Sequence, residues 1–169
     1  DEKQRIAIAA LRLIKNNDSI MIGSGTTVFA LAKNLESTQG LTVITPALKV
    51  GLELSGKPNI EVLQLGGLIR SNSSSVAGHY ATRILEVISC GILFLGADGI
   101  DLEFGISFSN LPEATLNQKM LQTSQKVAIL ADSSKFGKRG LGKICELIDV
   151  DYIITDPKVS PDTVKAIEE

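Results

Sequence analysis

Residues 19–27 read SIMIGSGTT, which is a short apolar run followed by a glycine-rich turn and two threonines. A short apolar run bounded by turn residues is typical of a buried β-strand. Thr26 or Thr27 can cap a following helix, which is predicted to run through Lys33 and Leu35. The segment therefore predicts a strand, a tight turn and a helix in succession.

The same unit recurs along the chain. Strands are predicted over residues 19–23, 41–45, 60–65, 92–95, 126–131 and 152–155. Helices are predicted over residues 3–16, from Pro46 to about Leu54, over 76–88 and 111–124, and from Ser160-Pro161 onward. The serine-rich residues 70–75 are predicted to form a loop, and the segment holding Gly105 and Ser107 to be irregular. This alternation indicates an α/β fold with a mostly parallel sheet and helices on both faces.

Composition limits the possible functions. The 169 residues, 44% of them hydrophobic, suffice for one core, so a single domain over residues 1–169 is expected. A balance of 17 basic against 19 acidic residues gives no general attraction to nucleic acid or acidic membranes. The chain itself is therefore not expected to bind DNA.

The cysteine and histidine content and the hydropathy of the chain exclude further classes of function. Cys90 and Cys145 lie far apart in apolar surroundings, which predicts buried thiols in a reducing cytoplasm. His79 is the only histidine and carboxylates are not densely grouped, so neither a metal site nor a cofactor is expected. No apolar run reaches the roughly 20 residues of a membrane helix, which favours a soluble cytoplasmic protein with no membrane partner.

The turns that leave the strands are the predicted binding site, because ligands bind beyond the carboxyl ends of parallel strands. Residues 23–27 place small residues and two hydroxyls at a helix start, where free N–H groups favour an anion such as phosphate. Taken alone, an ordinary glycine turn with a threonine cap is an equally good interpretation. The segment is neither GxGxxG nor a P-loop, so a nucleotide is not indicated.

Other strand exits add polar groups to this predicted site. Arg70 and Ser75 offer a cation and a hydroxyl to an oxyanion. Asp98 could accept hydrogen bonds from sugar hydroxyls or could simply form the turn, and Lys135 is a second cation or a solvated surface charge. The predicted ligand-binding residues are Ser24, Gly25, Thr26, Thr27, Thr45, Gly67, Arg70, Ser75, Asp98, Gly99, Lys119 and Lys135. His79 is predicted to be half-buried and structural, and the loop acids Asp101 and Glu103 to be solvated.

Over essentially its full length the chain resembles the C-terminal sensor domain of the DeoR family of bacterial transcription regulators. The similar landmarks are GTT at 25–27, VIT at 43–45, Gly66-Gly67 with Arg70, Ser75 and Gly78, FLGADGID at 94–101, DSSKF at 132–136 and ITD at 154–156. What the resemblance implies is a ribose-5-phosphate isomerase-like, Rossmann-like fold. It also implies the effector-binding domain of a sugar-responsive repressor, whose effector is commonly a phosphorylated sugar.

The resemblance implies partners as well. Family members carry an N-terminal winged helix-turn-helix that binds operator DNA, and we expect this chain, which starts at Asp1, to be a fragment without that part. Effector binding is expected to act through a homo-oligomer. Many relatives have an acidic residue where Gly23 stands and an asparagine where Pro46 stands, so polar contacts from these two positions are absent.

A sugar-phosphate isomerase is the alternative function, since the fold is shared. Isomerases use an Asp-Gly-Ala-Asp-Glu turn and a later Glu-Lys pair to move a proton. Here Leu95, Gly99 and Gln118 stand where three of those acids are expected, and only Asp98 remains, so binding without turnover is predicted. Glu113 lies nearby and could substitute for the missing base. A pure oligomerisation module is a third interpretation, but it leaves the polar strand exits without a purpose.

Overall fold

The apolar runs of the sequence form one parallel sheet in the computed structural model, which describes residues 1–14, 17–37 and 39–169. The strands are β1 (Ser19–Ile22), β2 (Leu41–Thr45), β3 (Ile60–Gln64), β4 (Leu68–Arg70), β5 (Ser75–Ala77), β6 (Cys90–Leu95), β7 (Gly99–Asp101), β8 (Gly105–Phe108), β9 (Ser124–Leu130), β10 (Gly142–Cys145) and β11 (Tyr152–Ile154). Six of them form the main sheet in the order β11-β9-β6-β1-β2-β3, and all five neighbouring pairs run parallel.

Helices cover both faces of this sheet, as predicted. The helices are α1 (Glu2–Ala10), α2 (Thr26–Asn34), α3 (Leu48–Ser55), α4 (His79–Ile84), α5 (Leu111–Thr123) and α6 (Pro161–Glu168). Alternate strand residues point to opposite faces. Ile20 and Phe94 therefore pack with α1, α2 and α3, whereas Met21 and Leu93 pack with α4, α5 and a second sheet. The last two residues of the predicted first helix, 15 and 16, lie outside the described part of the chain.

The segment predicted to be irregular instead contributes to a second, antiparallel sheet. Its order is β10-β8-β7, and it packs on the face of the main sheet that carries α5. Asp101 shapes the β7–β8 turn by accepting the N–H groups of Glu103 (3.1 Å) and Phe104 (2.8 Å), and it pairs with Arg139 at 2.9 Å. The prediction that Asp101 is merely solvated was therefore wrong. The hydrogen bond from the Phe104 amide lowers the pKa of Asp101, and the Arg139 pair acts in the same direction.

The predicted serine-rich loop is a hairpin. β4 and β5 pair antiparallel, with Arg70 opposite Ser75 at the end of the ladder. The next helix starts at His79 and not at Val76, because Val76 belongs to β5. His79 is exposed, so the prediction of a half-buried histidine was wrong.

Helix α3 also begins later than predicted. Pro46 was expected in its first turn, but its carbonyl accepts the Val76 N–H at 3.0 Å, and the Leu48 N–H donates to the Ser74 carbonyl at 2.9 Å. The segment before Leu48 is therefore bound to the β4–β5 hairpin instead of being helical. This contact places the turn of the hairpin beside the start of α3.

Cys90 and Cys145 are both buried free thiols, as predicted. Burial is the main cause that raises the pKa of Cys145 to about 12, with Asp149 and Glu146 adding to it. Among the helices that the structure describes, none has the length and apolar character needed to cross a bilayer.

Gly99 is sterically required where β7 begins. A Cβ atom at this position would lie 2.4 Å from the Lys138 carbonyl oxygen, which belongs to the backbone and cannot move aside cheaply. We expect Gly99→Ala to lower the free energy of unfolding by about 1–3 kcal/mol, the usual cost of overpacking. Chemical denaturation should show this loss, whereas Gly56→Ala, whose Cβ would enter open space, should stay within about 0.5 kcal/mol of the parent. Equal stability of the two variants would contradict this account.

Candidate functional site

One cavity of about 380 Å³ lies where several strands of the main sheet end. Its walls come from the segments that follow β1, β2, β6 and β9, together with the β4–β5 turn and the start of α5. The lining residues are Ser24, Gly25, Thr26, Thr27, Val28, Phe29, Ala47, Lys49, Val50, Asn72, Ser73, Gly96, Ala97, Asp98, Phe108, Glu113, Leu130, Ala131 and Lys135. The cavity thus occupies the place that the parallel topology favours for a ligand.

The first wall is the start of α2. Gly25 is the N-cap, with φ at 129°, and no side chain caps the helix, so the expected capping role of Thr26 or Thr27 was wrong. The Phe29 N–H donates to the Gly25 carbonyl at 3.0 Å and begins the helical ladder. The N–H groups of residues 26–28 donate to no group that the structure describes. Such amides, together with the helix dipole, are suited to bind an anion.

Two lysines reach the same cavity from other elements. Lys49 lies in the first turn of α3, and Lys135 lies in the short 3-10 turn Ser133–Lys135 after β9. Neither forms an ion pair with a residue of the described ranges. Both side chains therefore add positive charge to the cavity that the start of α2 also lines.

The turn that carries Lys135 is fixed by two carboxylates. Asp132 accepts hydrogen bonds from the Ser134 N–H (2.8 Å) and the Ser134 hydroxyl, and these bonds lower the pKa of Asp132. Asp156, only 6% exposed, accepts the N–H groups of Ser133 (2.7 Å) and Lys158 (2.9 Å). The bond from Ser133 is the main cause of a lowered pKa at Asp156. Charge-assisted bonds of this kind keep Lys135 at the rim of the cavity.

Two carboxylates line the cavity with the two lysines. Asp98 follows β6, and its Oδ2 accepts the Ser109 N–H (2.8 Å) and hydroxyl (2.6 Å). Glu113 lies in the first turn of α5, and its Oε1 accepts the Ser75 hydroxyl at 3.2 Å. The cavity lining therefore combines backbone amides at a helix start and two cations with two carboxylate acceptors.

Six of the twelve predicted ligand-binding residues line this cavity, namely Ser24, Gly25, Thr26, Thr27, Asp98 and Lys135. The other six, Thr45, Gly67, Arg70, Ser75, Gly99 and Lys119, are not among its lining residues. Thr45 is fully buried and its hydroxyl accepts the Ala47 N–H at 3.1 Å. Ser75 is buried behind Glu113, while Gly67 and Arg70 belong to the hairpin segment.

The structure also changes the comparison between the acidic residues of this chain and those of the isomerases. Gln118 is exposed and donates to the Lys143 carbonyl at 2.6 Å, so its side chain is not part of the cavity. An amide at this position therefore removes no acid from the cavity, and Glu113 supplies one from the preceding turn of the helix. At Gly99 the Lys138 backbone leaves no room for an acidic side chain.

The sequence did not predict that Lys49, Asn72 and Ser73 line the cavity, and it indicated Glu113 only as a substitute base. The start of α5 was predicted, and Asn110 before it signals an N-cap, which it forms by accepting the Glu113 N–H at 3.0 Å. An acidic residue three positions after such a cap lies in the first turn. No comparable signal marks Asn72 or Ser73, because the hairpin itself was not predicted. Within the described ranges, no group of three histidine, cysteine or acidic residues is arranged to hold a metal ion.

Residues 1–157 match the model of the DeoR C-terminal sensor domain family. The chain belongs to this family.

Curated relatives of this DeoR sensor domain are named as transcriptional regulators. An uncharacterised HTH-type regulator of Bacillus subtilis is 40% identical over 99% of the chain. A putative aga operon transcriptional repressor of Escherichia coli O157:H7 is 33% identical over 99% of it. The chain spans 65% and 62% of the lengths of these two relatives.

Solved structures support the same fold for the DeoR sensor domain. Ribose 5-phosphate isomerase A of Neisseria gonorrhoeae superposes with a TM-score of 0.56 at 22% identity, covering 81% of this chain and 53% of the isomerase. The β subunit of eIF2B from Chaetomium thermophilum gives a TM-score of 0.63 at 15% identity, covering 99% of this chain and 52% of that one. At these identities the likeness shows the fold alone. The predicted α/β, isomerase-like fold is thus confirmed.

Asp156 allows a test of how the Lys135 turn is held. Its pKa in the folded protein lies below the usual value near 3.8, so the carboxylate stabilises the fold above that pH and loses this effect as the pH falls through the folded pKa. We expect Asp156→Asn to lower the melting temperature at pH 7, because the new NH2 group faces backbone donors. The deficit relative to the parent should narrow as the pH drops below about 4. Glu61→Gln, which changes an exposed carboxylate, should show no such pH-dependent deficit, and a deficit at Asp156→Asn that is constant with pH would contradict the assignment.

Proposed function

We propose that this DeoR sensor domain binds a phosphorylated sugar in the cavity and thereby controls operator binding by a DNA-binding domain elsewhere in a repressor. The observation that carries the proposal is the convergence on one cavity of three N–H groups and two lysines that have no partner among the residues that the structure describes. Positive groups supplied by three separate elements favour a compact, highly charged anion. Phosphate is such an anion, and the rest of the cavity offers groups suited to a sugar.

In this arrangement the phosphate lies against residues 24–28, where the backbone amides of residues 26–28 and the hydroxyls of Thr26 and Thr27 donate to its oxygens. Lys135 and Lys49 neutralise the remaining charge. Lys49 thus takes the place of Arg70, which the sequence had indicated as one of the two cations. Asp98 accepts hydrogen bonds from the sugar hydroxyls, and the two bonds from Ser109 hold its carboxylate in place. The cavity of about 380 Å³ suits a ligand of this size.

Regulation follows if ligand binding changes the arrangement of two or more sensor domains in a homo-oligomer. The relatives support this part of the proposal, since their names are those of transcriptional regulators and repressors. The curated relatives are also longer than this chain, which leaves room for a DNA-binding part in a full-length protein. A change in domain arrangement would then alter how well the DNA-binding parts fit two half-sites.

An isomerase is the second candidate function, and the position of Glu113 favours it. Asp98 and Glu113 both line the cavity, so a carboxylate base is available there. Incubation of the protein with ribose 5-phosphate, followed by assay for ribulose 5-phosphate, separates the two functions. A sensor yields no product above the protein-free control, whereas turnover that is lost in Glu113→Gln would establish the enzyme.

Ligand binding should be visible as thermal stabilisation. We expect at least one sugar phosphate from a panel to raise the melting temperature, with a gain of about 2.7 kcal/mol at 100 times its Kd, or roughly 5–10 °C. The unphosphorylated parent sugar should have little effect, because it lacks the anion. Lys135→Met should weaken binding by about 10–100-fold, since a charged hydrogen bond is lost.

Lys138→Met is the matched control, because Lys138 is exposed in the same segment, carries the same charge and lies outside the cavity lining. Its affinity should stay within about twofold of the parent. Equal stabilisation by phosphorylated and unphosphorylated sugars, or equal loss in both lysine variants, would contradict the phosphate site.

The regulatory part needs the full-length protein. Coupling between two sites is reciprocal and commonly about 1–3 kcal/mol, so saturating operator DNA should change the effector Kd by about 5–150-fold. We expect weaker effector binding on the operator, as required for a ligand that releases a repressor. Calorimetric titrations with and without operator provide the measurement, and identical Kd values would remove the proposed control.

A further inference from the structure

We infer that Glu113, acting with Asp98, makes the site prefer phosphates of neutral sugars over phosphates of sugar acids. The inference rests on the proposed function and adds to it the chemical class of the ligand. The class comprises aldose, ketose or alditol phosphates whose hydroxyl groups face the two carboxylates. A ligand with a carboxylate at the end remote from the phosphate falls outside this class.

Two independent elements fix the position of Glu113. Its backbone N–H donates to the Asn110 side chain at 3.0 Å, which ties it to the N-cap of α5. Its Oε1 accepts the hydroxyl of Ser75, a residue that is only 1% exposed, and the Ser73 and Ser75 hydroxyl oxygens lie 2.9 Å apart. The cap therefore fixes the backbone of Glu113, and a buried hydroxyl of β5 holds one oxygen of its carboxylate.

Asp98 and Glu113 share one pattern of hydrogen bonding. One oxygen of each carboxylate is occupied by serine donors, namely Ser109 for Asp98 and Ser75 for Glu113. The other oxygen of each has no donor within the described ranges, and no described lysine or arginine lies within ion-pair distance of either group. Each carboxylate therefore has an oxygen available to a ligand.

An ionised carboxylate only accepts hydrogen bonds, so the ligand must supply the donors. Sugar hydroxyls satisfy this requirement, and a diol or polyol can serve both carboxylates at once. A ligand carboxylate supplies no donor and adds a like charge within a half-buried cavity. Repulsion between like charges in such surroundings weakens binding by about tenfold or more.

The test compares matched pairs that differ in the oxidation state of one carbon. Glucose 6-phosphate is paired with 6-phosphogluconate, and ribose 5-phosphate with 5-phosphoribonate. Sorbitol 6-phosphate is an open-chain ligand without a carboxylate, so it separates the effect of ring opening from the effect of charge. Binding to this chain is measured by calorimetry, and in any pair that binds, the member without a carboxylate should bind at least about tenfold more tightly than the sugar acid.

Glu113→Gln provides a test by gain of binding. The amide keeps a carbonyl oxygen for the Ser75 hydroxyl but removes the charge, so the variant should bind the sugar acid about tenfold more tightly than the parent does. A merely structural role for Glu113 predicts no such gain. Glu86→Gln removes an exposed carboxylate outside the cavity lining and should leave the ratio of the two affinities unchanged.

The outcomes separate this inference from the proposed function. Equal affinity of the parent protein for both members of a pair overturns the selectivity while leaving the sugar-phosphate site in place. A parent that discriminates but a Glu113→Gln variant with an unchanged ratio overturns the role of Glu113. If no phosphorylated ligand of the panel binds at all, the proposed function itself fails.

Discussion

Three backbone N–H groups at the start of α2 have no partner among the described residues. The arrangement of the other groups in the cavity depends on these three amides. Gly25 makes this possible, because its φ of 129° turns the chain directly from β1 toward the helix without a capping side chain. Unpaired amides are tolerated at a surface or in an open cavity but are costly once buried. The start of α2 must therefore remain accessible to water or to an anion.

The parallel sheet brings the other groups of the site to the same place. β1 lies between β2 and β6, with β9 beyond β6, so the segments that leave these strands share one edge of the sheet. Lys49, Asp98 and Lys135 come from three of those segments, although 86 positions separate the first from the last. The small residues Gly96 and Ala97 leave room for a ligand between these three charged side chains. Groups that are distant in sequence thus form one cavity without any long-range motif.

The sequence predicted the main sheet and the glycine-rich turn after β1 because both depend on local patterns. Short apolar runs mark β1, β2, β6 and β9, and glycine with threonine marks the turn after β1. The second sheet was not predicted, because β8 includes Gly105 and Ser107, residue types typical of turns, and so forms no continuous apolar run. Without that sheet and the β4–β5 hairpin, the positions of Arg70 and Ser75 could not be predicted correctly.

The residues that line the cavity from helices were difficult to predict for a different reason. Lys119 and Glu113 lie on the same helix, yet only Glu113 reaches the cavity, because the packing of α5 decides which turn of the helix is close to the strand ends. A single sequence gives the period of a helix but not its rotation or axial position against the sheet. Lys49 was overlooked for the same reason. Membership of the DeoR sensor family was predictable, since six short landmarks occur in order along the chain.

The proposed site depends above all on binding of the ligand's anionic group by the amides at the start of α2. The most direct measurement is a 15N–1H NMR titration with the sugar phosphate that stabilises the protein most, beside its unphosphorylated parent. We predict large downfield shifts of the amide protons of Thr26, Thr27 and Val28 with the phosphorylated ligand only. Binding that leaves these three signals in place while other cavity residues shift would contradict it.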